Sequence, residues 1–89
     1  MQNYQVKKSN SFIRDLKCLR HRPKIIANVN DAISQLENGE KLPMEHFLKG
    51  KLKGLKECHL QCGLLLVWAV NGSVVKLLRL GTHHRIFGL

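Results

Sequence analysis

Hydrophobic residues recur at two different periods along this chain, and the change falls just past its middle. In the first part, Ile25, Ile26, Val29, Ala32, Ile33 and Leu36 return at three- and four-residue steps, the spacing of one helical face. Asn38-Gly39 supplies a left-handed stop for that helix. Upstream, Phe12, Ile13, Leu16 and Leu19 form a shorter apolar face opposite Lys17, Arg20 and Arg22, with Ser9 or Ser11 as its cap. Arg22-Pro23 separates the two, because a residue before proline is pushed out of the α region whereas proline suits a first helical turn. With Tyr4-Gln5-Val6 as a weak short strand in front, residues 1–39 read as a helical hairpin that needs a platform, a scaffold without a catalytic constellation.

From Leu55 the period becomes two. Leu55, Glu57 and His59 point one way and Lys56, Cys58 and Leu60 the other, so the acid and the histidine share a face. Gln61-Cys62-Gly63 reads as a turn, Leu64 to Val70 as a buried strand, Asn71-Gly72 as a two-residue hairpin and Val74 to Leu80 as the return strand. Glu40 to Gly54, with Pro43, Gly50, Gly54 and four lysines, reads as a linker. The pattern predicts a single domain, residues 1–89, of the α+β class: an N-terminal helical hairpin packed on a small twisted antiparallel sheet.

Composition narrows the partners. Eighty-nine residues with 44% hydrophobic content can form one modest core without metal or disulfide staples. Three unevenly placed cysteines argue against a disulfide framework. The longest apolar run, Leu64 to Val70, is too short to span a membrane, and the polar start lacks an apolar signal core; both point to the cytoplasm and away from a membrane. Fifteen Lys and Arg against six Asp and Glu give a formal charge of +9, which favours a polyanion such as nucleic acid or an acidic protein.

Candidate chemistry gathers in the tail, where Arg79, His83, His84, Arg85 and Phe87 follow an apolar strand. Cys58-x-x-x-Cys62 spans a turn and His83-His84 point apart if the chain is extended, so neither has the spacing of a structural zinc site. Cys58 and His59 fall on opposite strand faces, which disfavours a nucleophilic dyad. Acid–base chemistry on RNA fits better. It needs a base for the ribose 2′-OH, an acid for the departing 5′ oxygen and cations for the phosphorane. Histidines suit the first two roles, Arg79, Arg85, Lys51 and Lys53 the third, and Phe87 offers a ring for an unstacked base. Solvated histidines on a merely basic binding surface remain the alternative.

The segments Leu52-x-Gly54-Leu55-Lys56-Glu57-Cys58-His59-Leu60, Leu64-Leu65-Leu66-Val67-Trp68 and Leu78-Arg79-Leu80-Gly81-Thr82-His83, followed by Phe87-Gly88, resemble the YafQ-like branch of the RelE/ParE toxins. The likeness covers residues 46–88 closely and the helical hairpin more loosely. It implies a β-α-α-β-β-β order with a short C-terminal helix or turn, and the toxin half of a bacterial type II toxin–antitoxin pair. It further implies a ribosome-dependent mRNA interferase that cleaves A-site mRNA through a 2′,3′-cyclic phosphate without metal or other cofactor, and so inhibits translation. By the same resemblance His83 is the general acid, His46 and His59 are base or orienting groups, Glu57 assists them, Arg79 stabilises the phosphate and Phe87 contacts a base. The division of acid and base among the histidines stays open.

The implied partners are an acidic antitoxin, mRNA on the ribosome with its surrounding rRNA, and operator DNA bound through the antitoxin. The chain departs from the branch at Cys62-Gly63, where Pro-Asp is common, which removes an aspartate able to join the site. ParE relatives use the same scaffold to poison gyrase, and a non-catalytic RNA- or antitoxin-binding module would need only the basic surface.

Overall fold

A computed structural model describes residues 3–42, 45–48 and 54–88. In them the elements run β1 (Gln5–Lys8), α1 (Asn10–Cys18), α2 (Pro23–Glu37), β2 (His46–Phe47), β3 (Leu55–His59), a 3-10 turn (Gln61–Gly63), β4 (Leu64–Asn71), β5 (Val74–Thr82) and α3 (His83–Phe87). The described strands form one sheet in the order β1-β5-β4-β3-β2. Strands β2 to β5 pair antiparallel, whereas β1 lies parallel to β5. The sheet is therefore mixed, a correction to the all-antiparallel expectation. Tyr4-Gln5-Val6 is too short to show its partner, which is set by the helical hairpin carrying the chain across to the far edge.

Both long helices pack on one sheet face. Phe12 from α1 and Ile25, Val29, Ala32 and Leu36 from α2 meet Cys58, Leu66, Trp68, Leu77 and Leu80 in a single core. Ser9 caps α1 by accepting the Phe12 amide at 3.0 Å, and its hydroxyl donates to the Leu78 carbonyl at 2.9 Å. One side chain thus starts the helix and ties it to β5. Pro23 opens α2 as expected. Ile13, grouped in sequence with the apolar face of α1, is instead 37% exposed, and Asp15 is buried in its stead. Residue 15 lies three positions after Phe12 and four before Leu19, on the sheet-facing side, whereas residue 13 is rotated away from it.

Three expectations for the chain's second half change. The linker holds a buried Leu42 and the two-residue strand β2. Glu45 pins it by accepting the Leu42 amide at 2.9 Å and pairing with Lys56 at 3.2 Å. Strand β5 runs on through Gly81 to Thr82, and His83-His84 open the short C-terminal helix that the resemblance implies, so they do not lie on an extended chain. Thr82 makes that helix start by accepting the Arg85 amide at 3.1 Å.

A register shift between Val67 and Trp68 positions the site. Trp68 faces Leu77 and Val67 faces Arg79, which leaves Leu78 as an extra residue on β5. Regular alternation would put Leu77 and Arg79 on one face. The bulge separates them, so Leu77 and Leu80 join the helix-side core while Arg79 emerges on the opposite face beside Val67.

Candidate functional site

The sheet face away from α1 and α2 carries a continuous cross-strand row. His46 on β2 is opposite Glu57 on β3, Glu57 is opposite Val67 on β4, and Val67 is opposite Arg79 on β5. The adjacent row runs His59, Leu65, Gly81. Two residues that the sequence put on one strand face, Glu57 and His59, are thus joined at the level of the sheet by the register positions of His46 and Arg79. Glu57 is buried at 6% exposure, Arg79 is half-buried and His59 is exposed.

The short helix α3 folds back onto the same face at Gly81. A Cβ on that residue would come 3.3 Å from Arg85 Cδ and 3.8 Å from Ile86 Cγ1, so glycine permits the close approach. His83 and Phe87, one helical turn apart on α3, hold their rings 4.7 Å apart at 58°. His83 is exposed and Phe87 partly buried, an arrangement that leaves the imidazole accessible and its neighbour as a firm wall. Lys51 and Lys53 lie outside the described residues.

Arg79 is fixed by a residue the sequence reading passed over. Asp15, 4% exposed on α1, accepts from Arg79 Nε at 2.9 Å and Nη2 at 3.4 Å, and from the Leu80 amide at 2.9 Å. Strand β1 pairs with β5 only as far as Leu77, and beyond that point Asp15 takes over the edge by accepting the Leu80 N–H. The hydrogen bond to Asp15 raises the Arg79 pKa above its usual value, with burial opposing and the Asp15 charge assisting. Arg85 approaches the same carboxylate, its Nε 3.7 Å from Asp15 Oδ1, and donates from Nη2 to Cys18 Sγ at 3.5 Å. The only clue in the sequence was an acid in line with the apolar stripe of an otherwise basic helix.

Cys58 is in the core, donating its thiol to the His59 carbonyl at 3.5 Å. Burial, and secondarily the charge of Glu45, pushes its pKa up, which keeps it a thiol and a poor nucleophile. Among the described residues, no three His, Cys, Asp or Glu side chains cluster as a metal site would require. The pair at which the resemblance implies Pro-Asp has an unusual backbone: Cys62 has φ 60° and Gly63 φ 71°. Proline cannot reach such a φ, so this backbone would not accommodate a proline at position 62.

Chemically, the face combines an accessible imidazole, a second histidine, a buried carboxylate and an oriented guanidinium. These can move protons and stabilise an oxyanion.

A family model described as the bacterial toxin of a type II toxin–antitoxin system, YafQ, matches residues 4–88. Among solved structures, a copper-bound mutant toxin from Helicobacter pylori is 32% identical over 94% of this chain and 99% of its own, with TM-score 0.86. A metal-bound toxin from the same organism is 31% identical over 94% and 99%, with TM-score 0.83. The E. coli DinJ-YafQ toxin–antitoxin complex includes a chain 24% identical over 97% of this chain and 99% of its own, with TM-score 0.84, a likeness of fold. No curated protein matches in sequence.

Proposed function

The chain belongs to the YafQ family of toxins from bacterial type II toxin–antitoxin systems, and from that membership we propose that it is an endoribonuclease that cuts mRNA in the ribosomal A site. The observation that supports this most is the cross-strand row His46, Glu57, Val67, Arg79 lying next to the row under α3, whose His83 is accessible. A base among Glu57, His59 and His46 withdraws the 2′-OH proton, and the 2′ oxygen attacks phosphorus. Arg79 stabilises the added charge on the phosphorane. The bond to the 5′ oxygen then breaks, and His83 donates the proton that the leaving oxygen needs. The products are a 2′,3′-cyclic phosphate and a 5′-hydroxyl.

Arg79 suits its part because Asp15 fixes its orientation in advance, using Nε and Nη2 and leaving Nη1 for a phosphate oxygen. Phe87 buttresses His83 and offers its remaining surface to a base. Arg85 adds positive charge to this face, and Lys51 and Lys53 are RNA-binding candidates from the sequence alone. With a formal charge of +9, the antitoxin partner expected from the family is an acidic chain that covers this surface, and the complex would reach operator DNA through the antitoxin.

Added to translating ribosomes, the protein should produce A-site mRNA cuts that His83→Ala abolishes. Inhibition of gyrase supercoiling without such cuts would instead place it with the gyrase poisons, and binding with neither effect would make it a non-catalytic module.

A further inference from the structure

Arg79 faces two ways, and only one of them belongs to the row described above. On its other side Ser11, Arg14 and Asp15 of α1 join Arg79 and Arg85 around an open cleft of about 260 Å³. Three guanidinium groups meet there over a floor made by one buried carboxylate. Asp15 neutralises one positive charge, so the cleft keeps an excess of two. Its arginines are anchored at unequal depth: Arg79 binds the floor directly, Arg85 stands 3.7 Å from it, and Arg14 is exposed at the rim.

We propose that this cleft is a second phosphate subsite, holding a backbone phosphate of the RNA that this face engages. An unbalanced arginine group selects an anion, and forked guanidinium donors beside a hydroxyl match the several acceptor oxygens of a phosphodiester better than a single carboxylate. The built-in carboxylate does not compete for the ligand, because its hydrogen bonds run to Arg79 and the Leu80 amide. Arg79 forms the wall shared by the two subsites. RNA would pass from α3 over the β5 edge toward α1, which gives the helical hairpin a part in binding besides scaffolding. The inference rests on RNA being the ligand; the chemistry at His83 is a separate matter.

The test is equilibrium binding in a His83→Ala background, so that binding is read without cleavage, to mRNA-programmed ribosomes and to ribosomes without mRNA over a range of KCl. Adding Arg14→Ala, at an exposed rim position, should weaken binding about three- to tenfold and lower the salt slope by about one, the signature of one lost phosphate contact. Arg14→Lys should keep the slope. A loss confined to programmed ribosomes identifies an mRNA phosphate, and a loss with both identifies an rRNA phosphate; either supports the subsite. Unchanged affinity and slope in both arms, or a loss seen only against the antitoxin, overturns it. Wild-type protein that fails to cut while the Arg14 effect persists would refute the nuclease and leave the subsite standing.

Discussion

The carboxylate of Asp15 holds the guanidinium of Arg79 through two hydrogen bonds, of 2.9 and 3.4 Å, across 64 residues of sequence. The same carboxylate accepts the Leu80 amide, so it joins α1 to the edge of β5 and orients the proposed phosphate-binding cation in one interaction.

Removing Asp15 should therefore affect both stability and activity. Asp15→Ala leaves the Leu80 N–H without its acceptor and Arg79 without its anchor; because Arg79 is one-third exposed and water can reach it, the cost should be about 2–3 kcal/mol. Asp15→Asn retains an acceptor for Leu80 and should cost about half as much. Urea unfolding measures both, and equal losses would show that the amide contact contributes nothing.

Leu78, the extra residue of the bulge, should tolerate deletion as well as substitution. Leu78→Ala trims a partly buried side chain and should cost about 1–2 kcal/mol. Deleting the residue makes Arg79 the direct neighbour of Leu77, and plain alternation then keeps Leu77 and Leu80 on the helix side and Arg79 on the opposite face with the pairing to β4 unchanged. Cooperative unfolding retained in both variants is the expected result, read by circular dichroism during a thermal scan; its loss in the deletion would show that the bulge itself is needed.

The three thiols should separate by accessibility. Cys18 and Cys62 are exposed and Cys58 is buried, so iodoacetamide should label two sites in the native protein and the third only after unfolding. Because the Cys58 pKa is raised on folding, the folded state holds its proton to higher pH than the unfolded chain. Its contribution to stability is complete below about pH 8.5 and declines as pH rises through the folded value. Cys58→Ala should lose core packing at every pH and abolish that part of the alkaline decline.

Cys62 adopts a left-handed conformation, with φ 60° and ψ 33°. Cys62→Gly should raise stability by about 0.5–1 kcal/mol by removing the Cβ clash of that region. Gly63→Asp meets no atom within 4 Å of a Cβ but must hold φ 71°, so it should fold at a cost of about 1 kcal/mol. An accompanying gain in cleavage would show that the missing aspartate limits the site. Thermal midpoints and cleavage rates of the two variants decide the matter.

Much of this molecule can be read in its sequence where local rules dominate. Pro23 and the stripe from Ile25 to Leu36 specify α2, and Asn71-Gly72 specifies the turn of the β4–β5 hairpin, where Gly72 has φ 60°. The alternation that puts Glu57 and His59 on one face holds in β3. What escaped notice depends on contacts between distant segments. The parallel pairing of β1 needs β5, 69 residues away. The bulge at Leu78 follows from fitting Leu77 and Leu80 into one core while Arg79 leaves it. Asp15 reads as one more polar helical residue until the β5 edge is beside it, and α3 is too short for its periodicity to show. The placement of His83 next to Phe87 follows from that helix.

Ribosome-dependent cleavage is read by mapping the 5′ ends of an mRNA on translating ribosomes with the purified protein and with His83→Ala. The wild-type chain should cut within the A-site codon, leaving 2′,3′-cyclic phosphate ends, and the variant should not cut although it still binds programmed ribosomes. Equal cutting by both proteins, or no cutting by a wild-type chain that binds, would contradict the proposed nuclease mechanism.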